Sequence, residues 1–142
     1  MAEIIIYTDG GARGNPGPAA LGVHITDSQH QVLARIGKYL GYATNNVAEY
    51  SAIIEALSWS IENKQKRGID KINVYMDSQL AYSQLVGLYK IKNDKIRELV
   101  FEIRKKEQEL TVPILYHHVP RERNKQADAL VNLALDNAQN RI

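Results

Sequence analysis

The chain has 142 residues, of which 44% are hydrophobic and 24% charged, the balance of one ordinary globular domain rather than a fibrous or disordered chain. It contains no cysteine, which excludes a disulfide framework and a thiolate metal site, and no apolar run approaches the length of a membrane span. The net charge of +2 is too small to argue for nucleic acid by itself. Met1-Ala2-Glu3 leads directly into a strand pattern without a signal-peptide segment, so a cytoplasmic protein is expected.

The β-branched run Ile4-Ile5-Ile6 reads as a buried strand that delivers Asp9 into a segment with four glycines and two prolines. There the chain is expected to turn sharply, which makes Asp9 either a strand-end acid beside a ligand or part of an Asp-Gly turn. Residues 21–26 alternate as a second strand and 31–40 as a third, with connections too short for crossover helices, so an antiparallel meander is expected. After Thr44-Asn45-Asn46, apolar residues recur at spacings of three and four, which predicts a helix to about residue 66, stopped by Gly68. Residues 71–76 read as a fourth strand ending at Asp77, and a short helix over 78–86 is stopped by Gly87. Asn93 or Asp94 can cap a third helix to about residue 110. Residues 114–119 are a fifth strand, Asn124 opens a last helix, and a polar tail over 137–142 is expected to fray. The order βββαβααβα predicts one α/β domain over residues 1–142, a mixed five-stranded sheet with helices on its faces.

Four carboxylates stand out. Asp9 and Asp77 are placed at the ends of two strands, which in a parallel pair face a common crevice. Glu49 and Asp128 are placed in the first turns of two helices, where the backbone dipole favours negative charge. Each has a purely structural explanation. Asn46-Val47-Ala48-Glu49 has capping-box spacing, Asp77 can cap the following helix, and Asp128 suits a helix start. Gathered together, four oxygen donors without sulfur would suit Mg²⁺ or Mn²⁺, two of which serve phosphoryl transfer.

With those residues in place, the chain resembles a type 1 ribonuclease H. The resemblance rests on Tyr7-Thr8-Asp9-Gly10-Gly11 with Gly14-Asn15-Pro16-Gly17-Pro18, on Thr44-Asn45-Asn46-Val47-Ala48-Glu49, on Met76-Asp77-Ser78-Gln79, and on the run from Val119 to Leu130. It implies cleavage of the RNA strand of RNA/DNA hybrids by two metal ions (Mg²⁺ or Mn²⁺), leaving 5′-phosphate and 3′-hydroxyl ends. Asp9, Glu49, Asp77 and Asp128 would be the metal-binding catalytic acids. It also implies substrate contacts from Gly10, Gly11, Arg13, Asn15, Asn45, Asn46 and Gln79, with Thr44 on a DNA phosphate. Two departures matter: residues 88–94 are too short for the basic, tryptophan-rich insertion of some bacterial members, and Arg121 stands where many relatives place a mobile histidine. The chain thus resembles the archaeal-like branch, including bacterial proteins similar to it, with Arg121 either catalytic or a phosphate grip. His117 and His118, inside a strand, read as structural. A monomer without membrane contact or protein partner is expected. Rival functions are a catalytically weak hybrid-binding module, a phosphatase or DNA nuclease on the same scaffold, and a structural protein whose acids are all caps.

Overall fold

The computed structural model describes residues 2–140. Its elements are β1 (Ala2–Ala12), β2 (Gly17–Asp27), β3 (Val32–Ala43), α1 (Asn45–Arg67), β4 (Ile69–Met76), α2 (Gln79–Leu85), α3 (Asp94–Leu110), β5 (Ile114–His118) and α4 (Lys125–Gln139), with a 3₁₀ turn at Arg121–Arg123 before α4. They form one mixed sheet in the order β3-β2-β1-β4-β5. The first three strands are an antiparallel meander, and β4 and β5 add in parallel to β1, as the lengths of the connections require.

The even-numbered residues of β1 point to the main core. Ile4 and Ile6 meet Val23 and Ile25 of β2 and Ile72, Val74 and Met76 of β4, and α1 closes this face with Tyr50, Ile53 and Leu57. Each of these buried side chains is worth about 1.5–3 kcal/mol of apolar transfer. α3 packs on the outside of α1, while α4 alone covers the opposite face, seated on β1, β2 and β3 through Val131 and Leu135. Among the described residues no helix is long and apolar enough to cross a membrane.

Several boundaries differ from the sequence reading, each for a physical reason. β1 does not stop at Asp9 but continues through Gly10, Gly11 and Ala12, because β2 begins at Gly17 and keeps pairing with it. Gly10 cannot carry a side chain: a Cβ there would stand 2.2 Å from the carbonyl carbon of Ala48 in α1. Gly22 plays the same part on the other face, where a Cβ would meet the Ala127 oxygen of α4 at 2.2 Å. Gly10 and Gly22 therefore serve helix–sheet approach and not turning, whereas Gly17 at the start of β2 serves the turn, where a Cβ would stand 2.2 Å from the Arg13 oxygen. α1 is capped by Thr44, whose Oγ1 accepts from the Val47 N–H at 3.2 Å, and not by either asparagine. That places Glu49 beyond the first turn and removes the capping-box explanation for it. α4 runs on to Gln139, so residues 137–139 are helical rather than frayed, while 141–142 lie outside the described residues.

Candidate active site

The parallel pairing of β1 and β4 sets Thr8 against Met76, so Asp9 and Asp77 leave adjacent strands side by side. The close seating of α1 on Gly10 brings Glu49 to the same point, and the Gly10 N–H donates to its Oε1 at 3.3 Å. Oxygen atoms of Asp9, Glu49 and Asp77 all lie within 4.8 Å of one another. Asp128 is not part of that group. It stands in the first turn of α4 on the rim of the same cleft, its Oδ2 accepting from Asn132 Nδ2 at 3.4 Å. Three of the four expected acids thus converge at ligating distance, and the fourth borders them.

Crowding these acids has an electrostatic cost. Burial, then the charge of Asp77, raises the Asp9 carboxyl from 3.8 to about 7, against a lowering contact from Glu49; Asp128 adds to the rise. Burial, followed by the charges of Asp9 and Asp77, raises Glu49 well above the usual carboxylate range, offset in part by the Gly10 N–H. Glu49 Oε2 is buried with no hydrogen-bond partner. A buried carboxylate oxygen left unpaired among two other acids is uncomfortable for the protein alone and suits a hard divalent cation. The donor set consists of oxygen only, which fits Mg²⁺ or Mn²⁺ and disfavours softer metals.

These acids form the floor of an open cleft of about 480 Å³. Asn15, Asn45 and Asn46 line one wall, with Gly10, Gly11 and Arg13. Asn15 Oδ1 accepts from the Asn45 N–H at 2.9 Å, and Asn45 Oδ1 accepts from the Ala12 N–H at 2.8 Å. Because both partners are backbone donors, each amide is fixed with its oxygen inward, leaving its NH₂ group as the free end. Arg13 is held by an ion pair with Asp136 of α4 at 2.7 Å and also donates to Asn132 at 3.4 Å. Arg121 opens the 3₁₀ turn and also lines the cleft. Thr44 and Gln79 lie outside the lining: the first caps α1, and the second donates to Ser83 Oγ at 3.1 Å.

One residue of the site went unrecognised in the sequence. Asn124 was expected only to open α4, yet its side chain makes no cap. Fully buried, it donates from Nδ2 to the Thr8 carbonyl at 2.8 Å and to Asp77 Oδ2 at 3.1 Å, tying the start of α4 to β1 and to one of the acids. An asparagine before a helix carries the signature of a cap, and nothing in its spacing betrays the longer reach. The two histidines behave as expected: His117 Nε2 lies 2.8 Å from Asn73 Oδ1, its ring stacked on Tyr75, and His118 Nε2 lies 3.2 Å from the Asp77 carbonyl oxygen.

Comparison with known proteins agrees with this geometry. The model of the reverse transcriptase-like family matches residues 7–134. Ribonuclease HI of Halobacterium salinarum is 41% identical over 135 residues, covering 93% of this chain and 64% of that protein. The bifunctional protein Rv2228c of Mycobacterium tuberculosis is 39% identical over 137 residues, covering 96% of this chain and 36% of that protein. The chain therefore spans about a third of the mycobacterial relative and just under two thirds of the halobacterial one. The solved structure of LC11-RNase H1 in complex with RNA/DNA hybrid is 45% identical, superposes with a TM-score of 0.91, and covers 96% of this chain and 99% of that one. Fold, acid cluster and relatives converge, and the chain belongs to the type 1 ribonuclease H family.

Proposed function

We propose that the chain is an endonuclease that hydrolyses the RNA strand of RNA/DNA hybrids and leaves 5′-phosphate and 3′-hydroxyl ends. The observation that carries this reading is the convergence of Asp9, Glu49 and Asp77 around the unpartnered Glu49 Oε2, on the floor of a cleft walled by outward-facing amide donors. Asp9, Glu49 and Asp77, with Asp128 on the rim, would hold two Mg²⁺ or Mn²⁺ ions. Such ions lower the pKa of a bound water and neutralise charge on a phosphoryl group.

The chain's own residues supply the rest. Asn15 and Asn45 present NH₂ groups of fixed orientation, which suit the acceptors and 2′-hydroxyls exposed in the wide, shallow minor groove of an A-like helix. Asn46 extends that row, Gly11 leaves room beside Asp9, and Arg13 and Arg121 add cations to the lining. Outside the cleft lining, Thr44 is assigned to a DNA phosphate and Gln79 to the minor groove of the hybrid. Asn124 holds Asp77 in place through Nδ2. Arg121 presents a guanidinium, which acts on phosphate by electrostatics and hydrogen bonding and not by proton transfer. The hybrid present with LC11-RNase H1 supports the choice of substrate.

The test compares a labelled RNA/DNA hybrid with duplex RNA, duplex DNA and a duplex carrying one ribonucleotide, each with Mg²⁺ and with Mn²⁺, using the wild-type and Asp77→Asn proteins. Metal-dependent cleavage of the hybrid, lost in Asp77→Asn with the fold intact, is expected. Hybrid binding without cleavage would replace this reading by a binding module, and cleavage of duplex DNA at an equal rate would replace it by a general nuclease.

A further inference from the structure

α4 covers only part of its face of the sheet. It is seated over the carboxyl end of β1, against Gly22 and Gly37, and leaves the half beyond Tyr7 without a helix. Across that open half runs one continuous row, in register through all five strands: Arg35, His24, Tyr7, Tyr75 and His117. Tyr7 and Tyr75 stack at 5.0 Å between centroids, and Tyr75 and His117 at 4.5 Å, so one end of the row is a continuous aromatic stack. Over the Arg35–His24–Tyr7 part of this row, and bounded on one side by the start of α4, lies a second concavity of about 400 Å³.

The chemistry of that concavity is one-sided. Arg35 enters it from β3 and Arg123 from the 3₁₀ turn, with His24, His30 and Gln126 around them and no carboxylate among its lining residues. Neither arginine has an ion-pair partner among the described residues, although six other cations do. Burial, then the charge of Arg35, lowers the pKa of His24, and the charge of Arg123 opposes the rise that burial and Tyr75 impose on Tyr7. Both guanidinium groups are thus felt at the row. Two exposed, uncompensated cations beside a polar and aromatic floor form a place for a phosphate. Its position says whose phosphate. Arg121 and Arg123 belong to the same one-turn helix, about 4 Å apart along its axis, and the first lines the cleft while the second lines this concavity.

We propose that this concavity binds a backbone phosphate of a single-stranded extension of the nucleic acid held in the cleft, with Arg35 and Arg123 as its ligands. The proposal rests on the hybrid reading for what fills the cleft, but it is separable from it. Such a site would favour substrates in which a duplex passes into a single strand. Bases on that strand need no particular sequence, because the contacts are to phosphate.

Fluorescence anisotropy on the Asp77→Asn protein with Mg²⁺ tests it, using a blunt hybrid, the same hybrid with a short single-stranded extension at each of its four ends in turn, and the corresponding DNA duplexes. An extension at one end is expected to tighten binding about fivefold. Arg35→Ala with Arg123→Ala should bring that gain below about twofold, leave affinity for blunt hybrid unchanged, and lower the salt slope by about 0.7 per lost contact. Arg35→Lys with Arg123→Lys should keep part of the gain. No gain from any extension, or a gain that survives the double alanine substitution, would overturn the proposal. So would a dimer in sedimentation that the double substitution abolishes, since the face would then belong to a second copy of the chain. If blunt hybrid binds no better than blunt DNA the hybrid reading fails, and the extended-to-blunt ratio on DNA still decides the arginine site.

Discussion

The acid cluster makes a quantitative claim about stability. Asp9 titrates near 7 in the fold against an ordinary value of 3.8. The unfolded chain therefore releases this proton first. Between about pH 4 and pH 7 the folded state holds more proton, and stability falls as pH rises. When Asp9 is fully ionised the cost approaches ~4 kcal/mol, at ~1.4 kcal/mol per tenfold change in proton affinity. At pH 5 only ~1.5–2 kcal/mol of it is present. Asp9→Asn removes the charge and keeps the shape, and it also relieves Glu49, for which Asp9 is the second cause of its raised pKa after burial. In metal-free buffer at pH 8 the variant should be more stable than wild type by ~2–4 kcal/mol, or ~6–12 °C in Tm for a chain of this size. The gain should fall by about half at pH 5. Urea and thermal unfolding in EDTA at both pH values measure it, with the wild type run in parallel so that other titrating groups cancel. Added Mg²⁺ should narrow the gap by stabilising wild type more than the variant. A variant no more stable than wild type at pH 8, or a gain identical at pH 5 and pH 8, would refute the repulsion argument.

Other substitutions probe other joints of the structure. Asn124→Ala removes two hydrogen bonds from a buried site and should cost ~1–3 kcal/mol of stability; if the residue positions Asp77, Mg²⁺ affinity by calorimetry should also fall, and Asn124→Asp should not restore it. Gly10→Ala drives a Cβ into the Ala48 carbonyl, so α1 must shift; a loss of at least ~1–3 kcal/mol in chemical denaturation is expected, together with loss of hybrid cleavage. Asn45→Ala should reduce the preference for hybrid over DNA duplex by ~1–3 kcal/mol, read as a ratio of kcat/KM values. Arg121→Ala should lower kcat more than it raises KM, with Arg121→Lys recovering part of the loss; a change confined to KM would make Arg121 a substrate grip alone.

What the sequence disclosed follows from what each residue does locally. Periodicity in α1 and alternation in β2 report on burial, which is why the order of elements and the main core were legible. The parallel pairing of β1 with β4 was less legible, because β2, β3 and α1 lie between them in the chain, and only the general rule that parallel strand ends share a crevice pointed to Asp9 and Asp77 meeting. Burial without a partner was not legible. Glu49 looks like a capping glutamate until Thr44 is seen to cap α1, and only then does its unpaired oxygen acquire meaning. Gly10 reads as a turn residue because a turn is the commoner reason for glycine, and Gly22 passes as an ordinary strand position, whereas here two helices lie against the bare backbone of two strands. Asn124 and Arg13 were opaque for the same reason: their partners, Asp77 and Asp136, are remote in the chain.

The turn between β1 and β2 has a mechanical role. On one side it is joined to α1 by the amide bonds of Asn15 and Asn45, and on the other to α4 by the Arg13–Asp136 ion pair, whose side chains are 35% and 58% exposed. The two attachments respond differently to the solvent. Neutral hydrogen bonds are nearly indifferent to ionic strength, whereas an exposed ion pair is screened as the Debye length shrinks from about 8 Å at physiological salt to about 3 Å at 1 M. Concentrated salt should therefore loosen the turn's hold on α4 while its hold on α1 stays, and α4 itself, with Asp128, remains seated through Asn124, Val131 and Leu135, so that the turn and not the acid cluster gains freedom.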